Sequence, residues 1–172
     1  WGTWYNVEPG TNPGFLYQQN TLRDAIVAGI NLNLFNARCD RVQMANLAQT
    51  VNVLQSVVLT DEEKMILTPT YWVFYLYKVH QDATLLPVSL TSTKYRYGDR
   101  EFDAVSVSAS KDAEGKIHIT LVNADPNNEQ RVDTRLVGAS VSKVRGKVLT
   151  SGKINDYNSF EEPSKVTVSD FN

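Results

Sequence analysis

The chain has 172 residues, with 17 Lys and Arg against 19 Asp and Glu and a formal net charge of −2. Hydrophobic residues at 42% and charged residues at 21% belong to a folded globular chain and exclude intrinsic disorder. The near-balanced charge argues against nucleic acid or an anionic membrane as the main partner. No apolar run approaches the ~20 residues of a spanning helix, and a single cysteine, Cys39, excludes an internal disulfide and a cysteine-built zinc site.

The opening Trp1-Gly2-Thr3-Trp4-Tyr5 places three large aromatics outside any periodic pattern. Aromatic rings pack against the C–H faces of sugars, so the segment reads either as a sugar-stacking platform or as a hydrophobic plug at a seam. The first residue is Trp1 rather than Met, and no signal-peptide apolar stretch follows it. We read the chain as part of a longer protein, whose compartment these residues do not reveal. Pro9-Gly10 and Asn12-Pro13-Gly14 are turn signals, since Pro presets φ and Gly supplies positive φ.

Thr21 followed by Asp24 is a capping box. It opens a helix with Leu22, Ala25, Ile26, Ile30 and Leu34 on one stripe, which Val27, Leu32 and Phe35 widen, so burial on more than one side is expected. Cys39, among Arg38, Asp40 and Arg41, reads either as an arginine-stabilised thiolate or as a small buried hydrophobe at a helix end; the second is the reading carried forward. Residues 42–59 fit a helical period, although several valines there favour a strand. Residues 60–63 are a solvated turn. Thr68-Pro69 is a cap with proline at the first helical position, starting a helix to about His80 with Trp72, Val73, Leu76 and Val79 inward.

From Thr84 the period switches to two. Residues 103–110 alternate valines with serines, and residues 116–122 place Ile117, Ile119 and Leu121 on one face, His118, Thr120 and Val122 on the other. A loop at 125–128 and further short strands at 130–137, 139–149 and 165–168 complete the spacing of a β-sandwich. The fold class is therefore α+β.

Retaining glycoside hydrolysis needs two acids flanking the scissile bond. The candidates, Glu8, Asp61-Glu62-Glu63, Glu101, Asp103 and Glu161-Glu162, show no context of burial and mutual perturbation. No phosphate loop, nucleophile elbow or His-Glu-x-x-His pattern occurs. His80 and His118 read as structural or solvent-facing rather than as a metal clamp. Tyr95, Tyr97 and Phe102 are a second candidate surface, the platform of a carbohydrate-binding module.

The opening pentapeptide, Cys39-Asp40-Arg41-Val42, Asn46-Leu47-Ala48-Gln49-Thr50-Val51-Asn52-Val53 and Thr68-Pro69-Thr70-Tyr71 resemble α-L-arabinofuranosidases of glycoside hydrolase family 51. So do Leu121-Val122-Asn123-Ala124-Asp125-Pro126 and Asn155-Asp156-Tyr157-Asn158-Ser159-Phe160-Glu161-Glu162-Pro163 in the tail. The resemblance implies a (β/α)₈ barrel followed by a jelly-roll β-sandwich, and release of terminal arabinofuranosyl units from arabinan and arabinoxylan with retention and without a cofactor. It implies that the nucleophilic glutamate directly precedes the position of Trp1 and that the acid/base glutamate lies further upstream, so this chain alone is expected to be inactive. Three substrate-binding residues are carried over by motif: Trp1 beside the nucleophile, Trp4 as a wall of the sugar site, and Gln49 as a hydrogen-bonding partner of the sugar hydroxyls. Gln49 has an alternative reading as an amide that caps loop backbone.

The resemblance further implies that 41–46 is the eighth barrel strand rather than a helix, that 47–57 lead away from it, and that 69–80 form the last barrel helix. Residues 1–83 would be a remnant of the barrel, with two or three helices and one strand, and 84–172 an incomplete antiparallel sandwich. Exposed strand edges would then favour a homo-oligomer. Arabinofuranosyl oligo- and polysaccharides are the implied partners, with no nucleic acid and no membrane. A non-catalytic carbohydrate-binding or oligomerisation module is the alternative.

Overall fold

In the computed structural model, which describes residues 1–6 and 18–171, the first element is helix α1 (Leu22–Ala37). Its start follows from the capping box: Asp24 Oδ2 accepts hydrogen bonds from the Thr21 backbone N–H at 2.7 Å and from the Thr21 hydroxyl at 2.9 Å. A carboxylate in the first turn also lies at the positive end of the helix dipole. The next two N–H groups, of Leu22 and Arg23, donate to the carbonyls of Asp156 and Ile154, each at 2.9 Å. The helix entrance is thus closed by a loop far later in the chain. Glu8 and the turn signals at Pro9-Gly10 and Asn12-Pro13-Gly14 lie outside the described residues.

The buried face of α1 is rotated from the expected stripe. Leu22, Ala25, Ala28, Gly29, Leu32 and Asn33 are buried, whereas Leu34 is exposed. Small residues let the helix axis approach its neighbours, so close packing selects the Ala-Ala-Gly side over the bulkier one. Cys39 is exposed just beyond the helix, which corrects the buried reading; the chain turns outward there on bonds from Arg41 and Val42 to the Arg38 carbonyl.

Residues 42–57 contain neither the helix that periodicity favoured nor a strand at 41–46. Asn52 and Leu54 have φ of 58° and 51°, a left-handed conformation that breaks a right-handed helix. No strand lies beside 41–46 among the described residues, and a barrel strand exists through hydrogen bonds to its neighbours. A hairpin follows instead, β1 (Val58–Asp61) against β2 (Lys64–Leu67), with Glu62-Glu63 at its tip. Asn52 docks on it: its amide donates to the Thr60 carbonyl at 3.1 Å and accepts from the Thr60 N–H at 2.8 Å, in the manner of a strand's peptide group.

Helix α2 (Pro69–Tyr77) begins where expected and ends in a 3₁₀ turn, Lys78–His80. Thr68 Oγ1 accepts from the Tyr71 N–H at 3.4 Å and donates to the Ser56 carbonyl at 2.8 Å, so the cap also anchors the loop before the hairpin. Val73 is buried; Trp72, Leu76 and Val79 are half-buried.

The remaining strands are β3 (Thr84–Leu85), β4 (Lys94–Tyr97), β5 (Arg100–Asp103), β6 (Val105–Lys111), β7 (Ile117–Asn123), β8 (Gly146–Leu149) and β9 (Val168–Phe171). They pair antiparallel as β3-β6-β7, β4-β5 and β8-β9. The strand expected at 130–137 is absent, that at 139–149 shrinks to β8, and that at 165–168 shifts to β9. Val132, Val137, Val141 and Val144 are all exposed. Alternation supplies a face but not a pairing edge, and without an edge no ladder forms.

The serines of β6 do not face solvent. Ser108 and Ser110 are buried; Ser108, with Ser106 and with Thr120 of β7, meets α1 through Asn33 and Asn36, while Ser110 bonds His80. The apolar core gathers Leu22, Ala25, Ala28, Leu32, Val73 and Val166, with Tyr77 and Leu149 packed against it, so it draws on both halves of the chain. The fold is α+β. Among the described residues, no helix is long and apolar enough to cross a membrane.

Candidate functional site

Trp1 is held on two sides. Its indole Nε1–H donates to the Asn46 carbonyl at 2.7 Å, and its ring stands edge-on to Phe35 of α1, with centroids 5.4 Å apart, and tilted against Phe74 of α2 at 6.3 Å. Gly2 follows because nothing larger fits: a Cβ there would lie 2.6 Å from Gln55 Cγ and 3.5 Å from Leu47 Cδ1. The opening segment therefore lies along the loop that runs from Asn46 to Gln55.

Thr3 and Tyr5 point inward. Both hydroxyls donate to Asp24 Oδ1, that of Tyr5 at 3.0 Å. The backbone around them is held by two glutamine amides. Gln18 accepts from the Tyr5 N–H at 3.2 Å and donates to the Thr3 carbonyl at 2.8 Å, and Gln55 donates to that same carbonyl at 2.8 Å. A side-chain amide carries the donor and acceptor of a peptide group, so these glutamines stand where a neighbouring strand would. Burial pushes the Tyr5 phenol above its ordinary range. Trp4, between the two inward residues, is 70% exposed.

Gln49 is exposed as well, after a cis Ala48–Gln49 peptide bond. Among the described residues its amide makes no hydrogen bond, so it caps no backbone there. The structure thus brings Trp1 to the start of the segment that carries Gln49. Among the described residues, neither ring stacking nor hydrogen bonding joins Trp4 to Gln49. The arrangement offers exposed aromatic surface and an amide free to donate and accept, which suits a polyol.

Among the described residues, its carboxylate is not set up for acid–base chemistry. The carboxylate bonded to the aromatic segment, Asp24, is 1% exposed. It accepts five hydrogen bonds, from Thr3, Tyr5, Thr21 twice and Gln55, which fills the roughly four lone-pair sites of an ionised carboxylate. A nucleophile or general acid needs one of them free. The sequence marks Asp24 only as a cap; its second oxygen, Gln18 and Gln55 leave no local signal, because their partners lie far away in the chain.

Most of the other candidates are engaged in packing or polar contacts. Tyr95 and Phe102 pair across β4-β5 with centroids 5.2 Å apart and planes at 69°, so they share no flat surface, while Tyr97 projects freely. His80 bridges Ser110 at 2.7 Å and Thr120 at 3.1 Å. His118 pairs with Asp112 at 2.7 Å. Glu101 is ion-paired with Arg96 and Asp103 with Lys94 on the exposed hairpin.

The family model described as the alpha-L-arabinofuranosidase C-terminal domain matches residues 1–172. An intracellular exo-alpha-L-arabinofuranosidase of Bacteroides ovatus is 52% identical over 172 residues, covering 99% of this chain and 34% of the relative. Among solved structures, the glycoside hydrolase family 51 arabinofuranosidase of Xanthomonas axonopodis pv. citri matches with a TM-score of 0.90 at 47% identity, over 100% of this chain and 35% of that one. The arabinose complex of the Thermotoga maritima alpha-L-arabinofuranosidase matches with a TM-score of 0.79 at 26% identity, over 99% and 37%. The chain spans about a third of the length of each.

Proposed function

Since the chain belongs to the alpha-L-arabinofuranosidase C-terminal domain family of glycoside hydrolase family 51, we propose that it serves as the C-terminal third of a retaining exo-acting enzyme. That enzyme removes terminal arabinofuranosyl units from arabinan, arabinoxylan and their oligosaccharides. In this reading residues 1–83 complete the end of a (β/α)₈ barrel and residues 84–172 form the sandwich beside it.

The chemistry is double displacement. One carboxylate attacks the anomeric carbon and a second, about 5–5.5 Å away, protonates the departing oxygen. Both come from polypeptide outside this sequence, the nucleophile immediately before Trp1. Trp4 walls the sugar and Gln49 bonds its hydroxyls, which discriminates against sugars that lack them. The observation that carries the reading is the Trp1–Asn46 bond, which ties the aromatic opening to the loop bearing Gln49. The arabinose bound in the Thermotoga maritima relative supports the sugar class. The exposed valines of 132–144 make self-association into a homo-oligomer part of the same proposal.

Two measurements test it. The 172-residue chain should release no more arabinose from an aryl arabinofuranoside than buffer does, and arabino-oligosaccharides should perturb its tryptophan fluorescence where xylo-oligosaccharides do not. Turnover by the chain alone near the ~10 per second of ordinary enzymes, or an equal response to both sugars, would sink it.

A further inference from the structure

Among the described residues Asp24 is the only buried charged side chain, and the helix cap does not explain its burial. Capping uses Oδ2 alone, and an exposed carboxylate at the same helical position would serve equally well. Oδ1 collects three further donors, Thr3 Oγ1, Tyr5 Oη and Gln55 Nε2, the last at 3.2 Å. The adjacent cation, Arg23, does not pair with it but stacks over the Tyr5 ring, 3.9 Å from the centroid. A buried carboxylate without a counter-ion is costly unless it is fully hydrogen-bonded. Here the donors come from the aromatic segment on one side and from the end of the Gln49 loop on the other.

We propose that Asp24 is a positioning residue of the aromatic site: through Thr3, Tyr5 and Gln55 it fixes the backbone from which Trp1 and Trp4 project. Sugar affinity then depends on a carboxylate that no sugar touches. The functional half of this inference rests on the reading of Trp1, Trp4 and Gln49 as sugar-facing. Thr3 is the informative joint, because its hydroxyl donates to Asp24 and accepts from Gln55 Nε2 at 3.1 Å. Removing it breaks the Thr3 link to Asp24 and Gln55 and leaves the Asp24–Thr21 cap intact.

The test compares Thr3→Val, which keeps the shape, with Thr3→Ser, which restores the hydroxyl, in the 172-residue chain. Far-UV circular dichroism reports the helices. Deuterium exchange of the indole N–H groups, followed by NMR, reports Trp1, with Trp72 as internal reference. Trp1 exchange should accelerate at least tenfold in Thr3→Val and recover in Thr3→Ser, with Trp72 unchanged. The dissociation constant for arabinotriose should rise at least fivefold in Thr3→Val alone. Trp1 exchange within twofold of the parent overturns the inference, and so does faster exchange with unaltered affinity. Should the parent chain show no response to arabinotriose, the sugar-facing reading fails, and exchange alone decides the positioning role. Should Thr3→Val lose its helical signal, Tyr5→Phe replaces it, with at least threefold faster exchange expected and an unchanged rate overturning the inference.

Discussion

Gly29 of α1 and Val122 of β7 meet where the helix crosses the sheet: a Cβ on Gly29 would stand 2.9 Å from Val122 Cγ2 and 3.4 Å from the Tyr77 hydroxyl oxygen. In an isolated helix, Gly→Ala would gain about 1 kcal/mol. Here the added methyl meets a β-branched side chain with little rotamer freedom, and overpacking costs about 1–3 kcal/mol. Gly29→Ala should therefore destabilise the chain by about 1 kcal/mol. Urea unfolding measures it, and a stabilised variant would show that helix and sheet are not in contact.

Asn33 is the hub of the polar seam. Its Nδ2 donates to Ser106 at 3.1 Å, and its Oδ1 accepts from Ser108 at 2.9 Å and from Thr120 and Tyr77 at 2.8 Å each. Each buried partner left unpaired costs about 1–3 kcal/mol. Asn33→Ala should lower stability by about 3 kcal/mol. Asn33→Leu, which fills the volume, should recover only part of this, because Ser106 loses the amide that bonds it while Ser108, Thr120 and Tyr77 keep their bonds to Asn36, His80 and Gly29; a near-parental urea midpoint for Asn33→Leu would assign the effect to packing.

His80 makes stability depend on pH. Burial, and secondarily the nearby His118, hold its imidazole below the ordinary 6.5. The unfolded chain then takes up the proton first, so this contribution is complete above about pH 6.5 and is lost as the pH falls below it. Asp112 acts lower on the scale. Its bond to His118, helped by the Lys116 and Glu114 N–H groups, holds its carboxyl below the ordinary 3.8, so its share fades only below that. The urea midpoint should decline between pH 7 and 5, and His80→Gln should flatten that limb while sparing the acid one.

Trp4 and Trp1 should separate binding from stability. Trp4→Ala removes a 70% exposed ring and should leave stability within about 0.5 kcal/mol, yet lower arabino-oligosaccharide affinity at least tenfold. Gln49→Ala should do likewise. Trp1→Ala forfeits the packing on Phe35 and Phe74 and the bond to Asn46, and should cost about 3 kcal/mol. Thermal unfolding and fluorescence titration of the three variants check this together.

Legibility followed locality. The cap at Thr21 and Asp24, the Thr68-Pro69 start and the alternation of β6 and β7 are each written in a few consecutive residues, and each element forms where those residues lie. The hairpin at 58–67 was missed because Glu62-Glu63 marks only its tip, and its strands are short. In the site, Trp1, Trp4 and Gln49 stand out through motif, while Gln18 and Gln55 look like ordinary polar residues until Thr3 and Tyr5 are seen against them.

Chain order alone thus determined the two helices, the β6 and β7 strands, the α+β class and the kinship with arabinofuranosidases, since propensity, capping and motif act between near neighbours. Tertiary structure decided that α1 buries Ala28, Gly29 and Asn33 rather than Leu34, that the serines of β6 turn inward, and that 130–137 stay unpaired. It also gave Asp24 its second set of bonds. These outcomes depend on which distant surface arrives opposite a residue, because burial, hydrogen-bond satisfaction and strand pairing are properties of two partners at once.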